Sequence, residues 1–128
     1  MKNNYSTILL RLSAIFALIG SFLGSHMAGS GSYAFRPIHA HILVVGWLTI
    51  FAWAVYYKIF SPKLGLLAKL HVYSAIAGSI GLTGGMALFI FKPAIFSPVM
   101  HTILYIAGGT VLLLSFLFFF LLTFIKEK

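Results

Sequence analysis

The chain has 128 residues, 61% of them hydrophobic and 8% charged, with a mean hydropathy of +1.05; this excludes an ordinary soluble domain and fits a polytopic membrane protein. The net charge of +8 comes from nine lysines and arginines scattered singly, without the basic stripe that would track nucleic acid, so they read as topology signals. No cysteine is present, which excludes disulfides, iron–sulfur clusters, thiol catalysis and thioether-attached haem, and leaves metal chemistry to histidine with methionine as a softer helper.

In chain order, a short polar start is followed by a first apolar span over about 7–28. Lys2, Arg11 and the small residues from Ser25 to Gly29 would also suit a cleaved signal peptide; with the chain beginning at Met1, the segment is read as a retained helix. Arg11 lies one turn inside and can snorkel. Gly20 and Gly24 form a small-xxx-small face for close helix packing.

Gly29-Ser30-Gly31-Ser32 is a flexible connector, and the second span covers about 37–60. Pro37 suits the first helical turn, where a missing N–H costs nothing. A third span, about 66–91, carries His71 near its start and Gly78, Gly81, Gly84 and Gly85 in its middle, and Lys92-Pro93 breaks it. The fourth, about 98–125, has His101 one turn in and a Phe-rich distal half facing lipid. Four spans with short loops predict an all-α, four-transmembrane-helix up-down bundle, a single integral membrane domain over 1–128. The Gly20-x3-Gly24 and Gly81-x3-Gly85 faces predict a homo-oligomer surrounded by membrane lipid.

Lys2, Lys58, Lys63, Lys69, Lys126 and Lys128 fall on one side and Arg36 and Lys92 on the other, so the positive-inside rule predicts a multi-pass plasma-membrane protein with both termini cytoplasmic. His26, His39, His41 and His101 then share the outer side, with His71 in the cytoplasmic half. Ionisable residues inside a membrane are costly, and this outer group is the main functional signal. His39 and His41, two residues apart on a helix, are turned by roughly 200° and address different sites. His39 to Gly46, His71 to Gly78 and His101 to Gly108 share the spacing His-x6-Gly, which places a glycine two turns beyond a histidine on the same face. An axial nitrogen beside a wall without side chains suits a porphyrin; close helix packing is the other use of such glycines.

His39-Ala40-His41-x4-Gly46-Trp47, with Tyr56-Tyr57 following, resembles the His-x-His-x4-Gly-Trp helix in the catalytic subunit of C-type haem–copper oxidases and nitric-oxide reductases. There the first histidine binds the high-spin haem and the second the low-spin haem. Arg36-Pro37-Ile38-His39 also resembles the Arg-Pro-Leu-His opening of another helix of that subunit, whose histidine is the opposite low-spin ligand, so the two likenesses give His39 different roles. The likeness covers about 25 of the 128 residues. The three-histidine copper site and the carboxylate proton channel have no counterpart, so oxygen reduction by this chain alone is not implied.

What the resemblance implies is a small relative of that subunit holding haem b, one or two groups, in electron transfer, gas sensing or haem handling. His39, His41, His101, His26 and His71 are the candidate ligands. Arg36 would pair with a propionate, or anchor the helix at the headgroups. Trp47 would pack near the macrocycle or simply between helices, and Tyr56 and Tyr57 would be interfacial belt residues. Two alternatives stand beside this. His26-Met27 and Met100-His101, with Met86, set thioether beside imidazole as copper would want, and a metal-free accessory helical module would use the histidines only for hydrogen bonds.

Overall fold

The computed structural model describes residues 4–125, so Lys2, Lys126, Glu127 and Lys128 of the charge pattern lie outside the described residues. The fold is all-α. Its elements are α1 (Tyr5–Ser30), α2 (Arg36–His41), a π-helical segment (Ile42–Thr49), α3 (Ile50–Ile59), α4 (Leu66–Phe91) and α5 (Pro98–Leu122). Because α2, the π segment and α3 run on without a break, the chain has four helical spans long and apolar enough to cross a membrane: Tyr5–Ser30, Arg36–Ile59, Leu66–Phe91 and Pro98–Leu122. It divides into two compact units, with the boundary between Ile59 and Phe60. Each is an antiparallel helical hairpin.

The ends of the spans follow from local chemistry. Gly31 takes the left-handed conformation, φ +67°, and its N–H returns to the Met27 carbonyl at 3.0 Å, so α1 stops where only glycine turns cheaply. Lys92 does the same for α4 at φ 47°, donating to the Leu88 carbonyl at 2.9 Å, and Pro93 forbids continuation. Ser97 caps α5 by accepting from the Met100 N–H at 3.3 Å, with Pro98 in the first turn.

The first hairpin packs α1 against the continuous second span. Leu9, Ser13, Phe16, Gly20 and Met27 form the buried stripe of α1, at spacings that keep to one helical face. A Cβ added at Gly20 would meet the Leu43 side chain, at Gly24 it would lie 2.9 Å from His39 Cε1, and at Gly46 it would meet the Phe16 ring. At the far end, Ser6 Oγ donates to the Ala54 carbonyl at 2.9 Å, and Tyr57 packs edge-on against Tyr5 and Tyr56 at 5.7 and 5.6 Å. Tyr57 is therefore not an exposed belt residue. At 1% exposure it belongs to the core, because Tyr5 gives its ring an aromatic partner inside the hairpin.

The π segment departs from the regular helix that the sequence predicts. Its widened turn is matched by Thr49 Oγ1, which donates to the Val44 carbonyl five residues back at 2.9 Å.

The second hairpin packs α4 on α5 backbone to backbone. A Cβ at Gly108 would strike the main chain of Gly81 and Leu82, one at Gly78 would lie 2.5 Å from Leu112 N, and one at Gly85 2.7 Å from Tyr105 Cα. Without a hydrophobic force between helices in lipid, such close approach is what holds a membrane hairpin together.

Candidate histidine site

The antiparallel first hairpin gathers three of the five histidines at one end. His26 lies in the last turns of α1, and His39 and His41 lie in α2 beside it. The imidazole of His39 sits in the notch that Gly20 and Gly24 leave on α1, and its Nδ1 lies 2.8 Å from the Gly20 carbonyl oxygen. A carbonyl only accepts, so in the neutral ring Nδ1 carries the proton and Nε2 the lone pair. His41 repeats this within its own helix, Nδ1 donating to the Pro37 carbonyl at 2.9 Å. Tying down Nδ1–H fixes the tautomer and orients a histidine to offer Nε2 to a metal.

The two histidines have separate partners, as their spacing predicts. His39 is half-buried against α1, while His41 is turned to its own helix and partly open. His26 is exposed, its ring 5.6 Å from Phe35 and edge-on. Arg36 is exposed as well, its guanidinium 4.6 Å above the Tyr33 ring. Among the described residues no acidic side chain competes for it, the chain's single acid, Glu127, lying outside them.

Gly46 is on the same side of the helix as His39, as the seven-residue spacing predicts, yet it offers no bare wall. Phe16 fills its face, and the glycines of the other two His-x6-Gly pairs are filled as well, Gly78 by Leu112 and Gly108 by Gly81. All three glycines serve helix packing. Trp47 is 41% exposed and Gly46 beside it buried, so the indole stands outside the hairpin interface.

In the second hairpin, His71 and His101 lie at opposite ends. His71 is fully buried near the start of α4 with its ring 5.5 Å from Phe119, near the end of α5. His101 is 3% exposed in the first turn of α5, edge-on to Phe96 at 6.3 Å, and its Nε2 is buried without a hydrogen-bond partner among the described residues. An unsatisfied imidazole nitrogen costs about 1–3 kcal/mol in a protein interior. Such a nitrogen is a free donor atom for a ligand.

Neither Met27 nor Met100 shares a face with the histidine next to it in sequence. His26 is exposed where Met27 is buried, and Met100 is exposed where His101 is buried, because successive residues of a helix face different ways. Among the described residues no three His, Cys, Asp or Glu side chains gather into a group that could hold a metal ion. A shallow apolar groove of about 370 Å³ between α4 and α5, floored by Gly81, Gly84 and Gly108 and walled by Ile80, Leu88 and Leu104, is lined by no histidine.

Three contributors could not be named from the sequence: Phe16, which fills Gly46; the Gly20 carbonyl, which orients His39; and Tyr33, which supports Arg36. Tyr33 alone left a trace, since an aromatic three residues before an arginine at a helix start is placed to stack on it. No family model, no curated protein and no solved structure matches this chain, so its relationships rest on the residues themselves.

Proposed function

We propose that this multi-pass membrane protein binds b-type haem through the histidine end of its first hairpin, as a small relative of the haem–copper oxidase catalytic subunit. The observation that carries the reading is the pair of Nδ1–carbonyl hydrogen bonds at His39 and His41, which leave each Nε2 as a lone-pair donor. His41 is the preferred ligand, its hydrogen bond being exposed and within its own helix, and His39 the histidine held on α1. Bound haem would supply one-electron redox chemistry or a gas-binding iron, which suits electron transfer, gas sensing or haem handling. Arg36, braced by Tyr33 and without an acidic side chain beside it among the described residues, would hold a propionate.

In this reading the protein lies in the plasma membrane with both termini cytoplasmic and the histidine end outside, an orientation supported by the lysine asymmetry. The glycines expected to drive self-association are used up inside the hairpins. The homo-oligomer rests instead on His41, since the His41 of a second copy could help to hold the same haem.

Detergent-purified protein from haem-replete cells tests this. A Soret band and a b-type pyridine haemochrome are expected, with His41→Ala losing most of the haem and His71→Ala retaining it. Colourless protein carrying stoichiometric copper would establish the metal alternative, and colourless metal-free protein the accessory-module alternative.

A further inference from the structure

The outward face of α1 has a polar head and an apolar tail. Arg11 is exposed about 9 Å along the helix from Tyr5, and Ile15, Leu18 and Phe22 continue its stripe at helical spacings, 55%, 73% and 69% exposed. This stripe is offset by two positions from the buried Leu9, Ser13, Phe16 and Gly20, a rotation of roughly 200°, so it points away from the second span. From Arg11 to Phe22 is about 16 Å, roughly half the ~30 Å hydrocarbon core and so one leaflet deep. Thr7, one turn nearer the helix start, is exposed on the same face.

Among the described residues Arg11 has no carboxylate to pair with, because the chain's one acid against nine basic residues, Glu127, lies outside them. A guanidinium this far inside a span reaches back along the helix to the headgroup phosphates, and its planar fork matches a phosphate oxygen pair. We infer that Arg11, with Thr7 beside it and Ile15, Leu18 and Phe22 beyond, is a binding site for one anionic glycerophospholipid, phosphate on Arg11 and an acyl chain along the stripe. Charge chooses the anionic class: a zwitterionic lipid brings its own cation, whereas an acidic one offsets the excess positive charge of the chain.

The test is native mass spectrometry of the full chain released from nanodiscs of equal phosphatidylglycerol and phosphatidylcholine. Wild type should retain phosphatidylglycerol about fivefold over phosphatidylcholine, the factor one surface cation contributes. Arg11→Gln should abolish the preference, Arg11→Lys should keep part of it, and Lys92→Gln should leave it intact. Retention of both lipids alike, or an unchanged preference in Arg11→Gln of native helicity, would overturn the proposal. Displacement of the bound lipid by millimolar inorganic phosphate would overturn it too, by making the site one for a free anion.

Discussion

The two hairpins use glycine in different ways. In the first, each glycine notch receives a side chain: Leu43 at Gly20, His39 at Gly24, Phe16 at Gly46. In the second, glycine meets main chain, Gly108 on Gly81 and Gly85 on Tyr105 Cα. A side chain can rotate out of the way of a new methyl group, whereas a backbone can yield only by moving a whole helix. The first hairpin is thus built to orient particular side chains, two of them rings, and the second to bring two helices as near as they can come.

The sharpest way to break this contrast is Gly108→Ala. Its methyl would run into the Gly81 backbone, so a loss of about 3 kcal/mol or failure to form the α4–α5 pair is expected in reversible unfolding from bilayer-like micelles. A loss under about 0.5 kcal/mol would mean that the helices slide past each other freely and the backbone contact is not limiting.

Gly46→Ala should cost about 2–3 kcal/mol, because the Phe16 ring can swing aside while its Cβ, also in contact, moves only with α1. Combining it with Phe16→Leu should recover part of the loss, and the double-mutant cycle measures the coupling. Strict additivity would separate the two residues.

Gly24→Ala is expected to act mainly on His39. The added methyl, 2.9 Å from Cε1 in the present geometry, pushes the ring outward and breaks the bond to the Gly20 carbonyl, at a cost of about 1 kcal/mol. ¹⁵N chemical shifts of the imidazole should show the Nδ1–H tautomer mixing with the other, while His41, bonded to Pro37, keeps its own.

Gly84→Ala is the control, expected within about 0.5 kcal/mol of wild type, since a Cβ there meets nothing within 4 Å. A large effect would place an uncounted partner on that face.

The spans were legible because apolar runs of membrane length are punctuated by residues with plain backbone consequences. Pro37, Pro98, Gly31 and the Lys92-Pro93 step fall at or within a residue or two of helix ends, and the third span runs over the predicted residues. The opposed settings of His39 and His41 were also legible, being a matter of helical angle. What fills a glycine was not. The pattern His-x6-Gly reads equally as a wall for a flat ligand or as a socket, and only the partner helix decides, here with Phe16, Leu112 and Gly81. The π segment left no mark either, since a widened turn within the uniformly apolar Ile42–Thr49 changes neither composition nor hydropathy. Tyr57 was misplaced because the amphipathic ring that suits an interface suits a tyrosine-lined core equally well.

The π segment has a consequence for how this sequence can lengthen and shorten. In a regular helix, deleting one residue turns everything beyond it by about 100°, so a deletion early in α4 would swing Gly81 and Gly85 off α5 and undo the second hairpin. Between Ile42 and Thr49 the turns are already wide, and losing one residue lets them tighten to the ordinary ladder while His39 stays on Gly24 and Tyr57 on Tyr5. The second span thus carries a splice point between its histidine end and its tyrosine end, where a single-codon deletion should be tolerated although the segment lies in the middle of a membrane-length helix.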